Sequence, residues 1–379
     1  MNDKRPYQIC TNCVMDTSDS KIVFDDQGVC DHCNNFYHNI KPNWHTDEIG
    51  QAKLDAVLEK IKKDGAEKKY DCLIGLSGGV DSSYLVYTAK EKWGLRPLIF
   101  TVDTGWNMKV AETNVRKIID GCGLDEYHVT VEHEEMMDLQ LAYFKSQVPY
   151  QDTPQDHTIF ASLYNFAAKE GFKYILTGGN FSTECVREPI EWVYQNDITQ
   201  IRDIHRKFGQ VPLKNLPLCG MFKYKIYYRY IKGVRVIKVL DFIPYEKESA
   251  ISELEEKFAW ERYKNKHYES RFTRFYEGYW LIKKFGYDKR RLHFSSLILT
   301  GQLNREKALE MLTEPPYDEE SAIEDMRYIC QKMGISVEEF KTLMDGEKKT
   351  YNDYRSSLPL IQVGVKIAQV LGIEKRQFR

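Results

Sequence analysis

The sequence predicts an α/β protein: a parallel twisted sheet with helices on both faces, an N-terminal cysteine-rich unit, and a helical C-terminal region. Three observations carry this. Between residues 70 and 177 short apolar runs alternate with amphipathic stretches, as βαβ units require. Two C-x-x-C pairs stand near the amino end, and the last third is helical in pattern and rich in aromatic and charged residues. The expected units are 1–45, 46–245 and 246–379.

The cysteine pairs are "CTNC" (Cys10, Cys13) and "CDHC" (Cys30, Cys33). Their separation is that of a four-thiolate zinc site, in which two knuckles converge on one tetrahedral ion. The intervening "KIVFDDQGVC" reads as strand, turn, strand, so a zinc ribbon is expected. The alternative, a redox C-x-x-C, occurs singly near a βα junction. His32 and His38 are nearby, but four thiolates leave them no vacancy. A closed site of this kind has no position for substrate and serves folding.

Residues 47–64 follow with helical spacing of Ile49, Leu54, Val57, Leu58 and Ile61. They form a linker helix into the sheet domain. Strands are expected at 70–76, 97–102, 126–131 and 173–177, with helices at 82–93, 108–121, 133–145 and 157–170. The turn between the first strand and its helix reads "LSGGVDSS". Glycines permit close backbone approach, and the unpaired N–H groups at a helix start attract anions. Ser77, Gly78, Gly79, Asp81, Ser82 and Ser83 are therefore candidates for holding phosphate. No Gly-Lys-Ser/Thr follows, so this is not a Walker A loop. A plain βα turn capped by Asp81 or serine is the alternative.

Ligands of such sheets bind beyond the carboxyl ends of the strands. The segments "TVDTGWN" (101–107) and "LTGGNFSTE" (176–184) are accordingly the next candidates, and Gly178, Gly179 and Asn180 of the second are small enough to lie against a nucleotide. Asp103 and Gly105 also suit an ordinary turn.

Composition narrows the function. The 379 residues include 54 basic and 56 acidic side chains, which leaves no overall electrostatic footprint of a nucleic-acid binder. No apolar run is long enough to span a bilayer and no signal-peptide pattern is present, so a cytoplasmic protein without a membrane partner is expected. Nine cysteines without secretory marks point to metal ligation or burial. Cys122, Cys185 and Cys219 read as incidental thiols.

The S-G-G-V-D-S string resembles the pyrophosphate loop (PP-loop) of N-type ATP pyrophosphatases, the group of asparagine, NAD and GMP synthetases and tRNA-thiolating enzymes. The cysteine pairs, "IGLSGGVDSS", "VDTGWN", "LTGGNFSTE", "VLDFIPYEKE" and "FGYDKRRLHFSSLILTGQLNREKALEML", in this order, resemble the N-acetyl sugar amidotransferase family, synthetase subunits of O-antigen and pseudaminic-acid-type sugar pathways. The resemblance runs from Cys10 to "TYNDYRSS" at 350–357. It implies an adenine nucleotide alpha hydrolase-like fold. It also implies ATP-dependent conversion of an N-acetyl group on a nucleotide-activated sugar to an acetamidino group, with ammonia from a separate glutaminase subunit.

On this reading the loop holds the β- and γ-phosphates, Val102 and Asp103 meet adenine, and Mg²⁺ sits at Asp81 and Glu184, since Mg²⁺ needs few protein carboxylates. Lys247 of "YEKE" is a candidate cation for the α-phosphate, and Lys289, Arg290 and Arg291 for the sugar-nucleotide diphosphate. Solvated lysine and a plain charge run are the alternatives. His293 reads as a structural residue. Near Cys219 the string "PLCGM" lacks the glycines of a G-x-C-x-G glutaminase, which is why a partner is expected. A tRNA-thiolating enzyme is the second reading.

Overall fold

The computed structural model describes residues 5–194, 197–263 and 268–370. Its centre is one five-stranded sheet in the order β3-β2-β1-β4-β5, made of β1 (Cys72–Gly75), β2 (Pro97–Asp103), β3 (Glu126–Thr130), β4 (Tyr174–Leu176) and β5 (Arg235–Ile237). Every pairing is parallel, with Ile74 beside both Ile99 and Leu176. The first four strands lie where the sequence places them. The fifth was not expected, because "RVI" is short and half exposed.

Burial explains the apolar run of β1. Cys72, Leu73 and Ile74 are all wholly buried, and successive side chains of a strand point to opposite faces. Cys72 and Ile74 pack with Leu85, Ile118 and Leu254 on one side. Leu73 packs with Phe100, Ala161 and Tyr164 on the other. The result is a three-layer sandwich, with helices Val80–Tyr87 and Lys109–Cys122 on one face and helix Thr153–Glu170 on the other.

Helix bounds follow local chemistry. Lys109–Cys122 stops at Gly123, whose φ is 59°, the usual left-handed end. Thr153–Glu170 begins four residues before the expected start because Pro154 occupies its first turn, a position proline favours. The linker helix runs Glu48–Gly65, and the Asp47 side chain accepts from the N–H groups of Ile49 and Gly50. Its inner face is Leu54, Leu58 and Ile61, whereas Ile49 is 52% exposed, a correction to the expected stripe.

The cysteine unit also departs from expectation. In place of two strands there are isolated bridges, Ile9 with Asp16 and Phe24 with Cys30. The Asp25 carboxylate accepts from Gln27 and Val29 N–H, so side chains and sulfurs close the turns that a hairpin ladder would otherwise close.

Apolar cores cross the expected boundaries at 45 and 245. Val14 packs with Phe294 and Ala308, and the Arg305 guanidinium donates to the carbonyls of Cys10 and Cys13 at 2.8 and 3.0 Å. Helix Lys247–Phe258 packs Ala250, Ile251 and Leu254 onto the sheet domain. Among the described residues no helix is long and apolar enough to cross a membrane.

Candidate functional site

Strand order reverses between β1 and β4: the chain proceeds from β1 to β2 and β3 on one side and returns to β4 and β5 on the other. Such a switch point leaves a crevice beyond the carboxyl ends. The loops that fill it are 77–83 after β1 and 177–184 after β4.

The first loop is pre-shaped by its serines. The Ser77 N–H donates to Ser82 Oγ at 3.3 Å, Gly79 N–H donates to Ser77 Oγ at 3.3 Å, and Ser82 Oγ donates to the Gly79 carbonyl at 3.1 Å. Gly78 holds φ of 86°, which favours glycine. The second loop lies directly on the first: a Cβ on Gly178 would fall 2.8 Å from the Asp81 carbonyl carbon and 2.9 Å from the Ser82 nitrogen. Only glycine allows the two loops to meet.

Two of the sequence candidates turn inward. Ser83 is fully buried and its hydroxyl has no hydrogen-bond partner, so it does not reach a phosphate. Asn180 is also fully buried, and it accepts from Thr183 N–H at 2.9 Å while donating to the Gly178 carbonyl at 2.9 Å. It shapes the loop; it does not line the crevice.

The crevice consists of two cavities of about 940 and 690 Å³. Ser77, Gly79, Asp81, Ser82, Gly178, Gly179 and Lys247 line the smaller. Val102, Asp103, Arg116 and Phe160 line the larger. Ser77, Glu184, Glu269, Glu277, Lys289 and His293 belong to both and form the wall between them. Asp103 lines the larger cavity and also closes its own turn, since its carboxylate accepts from Gly105 N–H at 2.7 Å.

Asp81 and Glu184 thus face one cavity. The Tyr245 hydroxyl donates to Asp81 at 2.5 Å. Burial, then the Asp81 charge and hydrogen bond, with Glu184 also contributing, push this phenol well above its ordinary pKa, so it remains a donor. Asp81 and Glu184 are two carboxylates on one cavity, the donor type that would hold Mg²⁺, an ion that needs few protein carboxylates. Nothing nearby in the sequence flagged Tyr245 except its place two residues before Lys247.

The C-terminal helices brace this pair. Gln302 accepts from Lys247 N–H at 2.9 Å and donates to the Ser182 carbonyl at 2.9 Å, and Thr300 donates to the same carbonyl at 2.8 Å. Asp241 accepts from Phe181 N–H at 2.6 Å. Sequence reasoning missed Gln302, Asp241, Glu269 and His293. The last two line the dividing wall, where His293, read from the sequence as structural, is in reach of both cavities.

The expected diphosphate cluster does not form. Arg291 pairs with Asp16 at 3.1 Å and donates to the Val14 carbonyl at 2.8 Å, tying down the cysteine unit. Arg290 lines the smaller cavity but pairs with Asp288 at 2.7 Å and donates to the Glu314 carbonyl at 2.8 Å. Successive helical residues point in different directions, and these two found structural acceptors. Lys289 reaches the crevice wall but is only 6% exposed, held at 2.7 Å by Glu188 and 2.8 Å by Glu277. Burial would lower its pKa, yet Glu188 and Glu277 outweigh that and hold it well above the usual lysine value.

Lys289→Met should therefore strand two carboxylates beside the cleft. A loss of about 3–5 kcal/mol in urea unfolding is expected, and Lys289→Met/Glu277→Gln should recover part of it. An unchanged midpoint in the single variant would refute the charge cage.

Asp152, on the wall of the larger cavity, is 4% exposed. Burial first, then Asp156 and Glu277, raises its pKa to about 8. The folded state then holds a proton that the unfolded chain has released above its ordinary carboxylate pKa, so this group's contribution to stability declines as pH rises from about 4 to 8. Asp152→Asn should gain melting temperature relative to the parent as pH is raised through that window. A pH-independent difference in calorimetry would contradict it.

The four cysteines come together. Cys10 and Cys33 sulfurs are 3.8 Å apart, and Cys13–Cys30 and Cys30–Cys33 are each 3.6 Å apart. Four sulfurs at about 2.3 Å from one ion stand about 3.8 Å from one another. All four are buried and within reach of a single metal, and N–H groups of Asn12, Cys13 and Cys30 point at Cys10 Sγ, as thiolate charge favours. His32 is engaged with Asp19 at 2.9 Å and His38 with the Asn34 carbonyl at 2.8 Å. The remaining five cysteines are buried and free.

Comparison with known proteins agrees with the two halves of the crevice. The asparagine synthase family model matches residues 53–179, and the model for the C-terminal domain of WbpG-like lipopolysaccharide biosynthesis proteins matches residues 269–368. Residues 269–368 are thus similar to the C-terminal domain of WbpG-like proteins. Residues 53–179 are similar to ATP-dependent synthetase domains of the asparagine synthase type.

An uncharacterised protein of Methanocaldococcus jannaschii is 26% identical over 190 residues, covering 48% of this chain and 64% of that one. A GMP synthase [glutamine-hydrolyzing] of Prochlorococcus marinus is 31% identical over 102 residues, covering 26% and 17%. The chain thus spans less than two thirds of the length of either relative. Among solved structures, NMN synthetase of Francisella tularensis has a TM-score of 0.29 at 14% identity, covering 55% of this chain and 92% of that one. A "predicted subunit of tRNA methyltransferase" from Methanocaldococcus jannaschii has a TM-score of 0.28 at 12% identity, covering 49% and 74%. Likeness of that degree adds nothing to the fold read from the sheet itself.

Proposed function

We propose that this protein is an ATP-dependent, AMP-forming amidotransferase synthetase acting on the N-acetyl group of a nucleotide-activated sugar. The observation that carries the reading is the meeting of the 77–83 and 177–184 loops, which turns Asp81, Glu184 and Lys247 toward one cavity that shares a wall with a second, larger one. Both volumes are of small-molecule size. The arrangement suits ATP lying across Ser77, with adenosine toward Val102 and Asp103 and pyrophosphate against Gly79 and Ser82. The sugar nucleotide then approaches the dividing wall.

An amide oxygen leaves poorly. In the proposed sequence it attacks the α-phosphorus of ATP, the bond to the β-phosphate breaks, and pyrophosphate departs. Ammonia then adds to the activated carbon, AMP leaves with the former amide oxygen, and the excess proton passes to solvent or a wall carboxylate. Asp81, with its proton-donating Tyr245, and Glu184 would hold Mg²⁺, which neutralises charge on the departing phosphates. The loop N–H groups and Lys247 stabilise the same charge in place. No covalent nucleophile is required, which agrees with buried Cys122, Cys185 and Cys219. A glutaminase partner would raise the local concentration of neutral ammonia.

The test is product formation. AMP and pyrophosphate should appear only when ATP, an N-acetylated nucleotide sugar and ammonium at raised pH are all present. Glutamine should replace ammonium only after a glutaminase subunit is added. AMP formed with tRNA and a sulfur donor in place of the sugar would instead support the thiolation reading.

A further inference from the structure

Between Cys219 and Asp241 the sequence contains no acidic residue, and it carries Lys223, Lys225, Arg229, Lys232, Arg235 and Lys238. In a chain of net charge −2 this is a concentrated positive segment. Residues Lys223–Ile231 form a π-helix, and all six cations are solvent-exposed. Lys238 turns toward Phe181 and the Glu184 loop. The other five lie along the outer side, where Lys223 bonds the Asn165 amide at 2.8 Å and none pairs with a carboxylate among the described residues.

The same segment exposes apolar side chains. Phe222 is 71% exposed, Ile226 40%, Tyr230 73%, Ile231 67% and Val236 43%. Phe222, Ile226 and the pair Tyr230 and Ile231 recur every four to five residues, which is one face of a helix of i to i+5 pitch. Tyr224 and Tyr228 face the other way, against Tyr164. Two faces are therefore filled: one packs on the protein, and the other is apolar and unburied with cations on its flanks. The segment leads into β5, the edge strand of the sheet, so Tyr230, Ile231 and Lys232 lie at its amino-terminal pole, away from the crevice at the carboxyl ends.

We propose that this face docks on an anionic phospholipid surface. Cations attract the headgroups, while Phe222, Tyr230 and Ile231 enter the boundary between headgroup and acyl chain. Three of the five exposed apolar side chains, Ile226, Ile231 and Val236, are aliphatic, whereas a single-stranded nucleic-acid platform is built of stacking rings. The expectation of no membrane partner rested on the lack of a spanning segment, and this face lies on a membrane without crossing it. The inference is independent of the proposed reaction.

Vesicle co-sedimentation of the full chain tests it, with phosphatidylglycerol and phosphatidylcholine mixed equally against pure phosphatidylcholine. Binding to the anionic vesicles alone is expected, falling at least about tenfold between about 0.05 and 0.5 M salt. Lys225→Glu/Arg229→Glu should lose it by about tenfold or more. Phe222→Ser/Ile231→Ser leaves the charge alone and should lose about fivefold. Circular dichroism should be unchanged in both variants. No binding to anionic vesicles would overturn the proposal, as would binding that survives either variant. So would full displacement by tRNA with the apolar variant unaffected, which would mark a polyanion site.

Discussion

Asp81→Asn is expected to abolish AMP and pyrophosphate formation while the protein still folds. The substitution keeps the size and an acceptor oxygen, so the Tyr245 hydroxyl, which donates to Asp81 at 2.5 Å, retains its bond. What disappears is the carboxylate charge that the 77–83 loop itself presents to its cavity. Electrostatic stabilisation of departing phosphate is the main task proposed for the site, and removal of one such element costs on the order of 100- to 1,000-fold in rate. Pyrophosphate release and a thermal melt, measured on the same preparation, separate the outcomes. A large rate loss with an unchanged melt supports the role. Turnover at the parent rate would remove Asp81 from the chemistry, and a lowered melt with proportionate rate loss would make it structural.

The second large effect concerns the cysteines. With four sulfurs set at tetrahedral spacing, purified protein should carry about one zinc per chain. Cys30→Ser removes one corner. Zinc in such sites contributes about 10 kcal/mol or more to folding, and here the dependent packing is identifiable. Arg305 holds the Cys10 and Cys13 carbonyls, Arg291 holds that of Val14, and Val14 lies against Phe294 and Ala308. Loss of metal should therefore raise hydrogen exchange not only in residues 9–35 but also in helices Arg290–Leu299 and Arg305–Thr313. Those helices carry His293 on the crevice wall and adjoin Gln302, so activity should fall with folding. Cys30→Ser protein that retained a full complement of zinc would overturn the assignment.

The sequence by itself determined four of the five strands and the loops that follow them. Apolar runs at 72–76 and 97–102 are long enough for a strand and too short for a solvent-facing helix, and glycines mark where each must turn. Local pattern suffices when each residue's fate is set by its near neighbours. The same holds for the cysteines: a C-x-x-C turn can present both sulfurs to one ion, and the pairing of two such turns needs only one metal.

Tertiary structure decided which side chains serve the crevice. Ser83 and Asn180 stand within motif strings, yet one residue of helical rotation buries the first, and the second is spent on capping its own loop. Lys289, Arg290 and Arg291 are adjacent in sequence and indistinguishable in charge; Lys289 meets the dividing wall, Arg290 lines the smaller cavity while held by Asp288, and Arg291 is turned away to Asp16. Tyr245 reaches Asp81 across 164 positions, and Gln302 reaches Ser182 across 120. No local periodicity encodes such contacts, because they depend on how separately formed elements dock, and docking is fixed by the packing of whole faces.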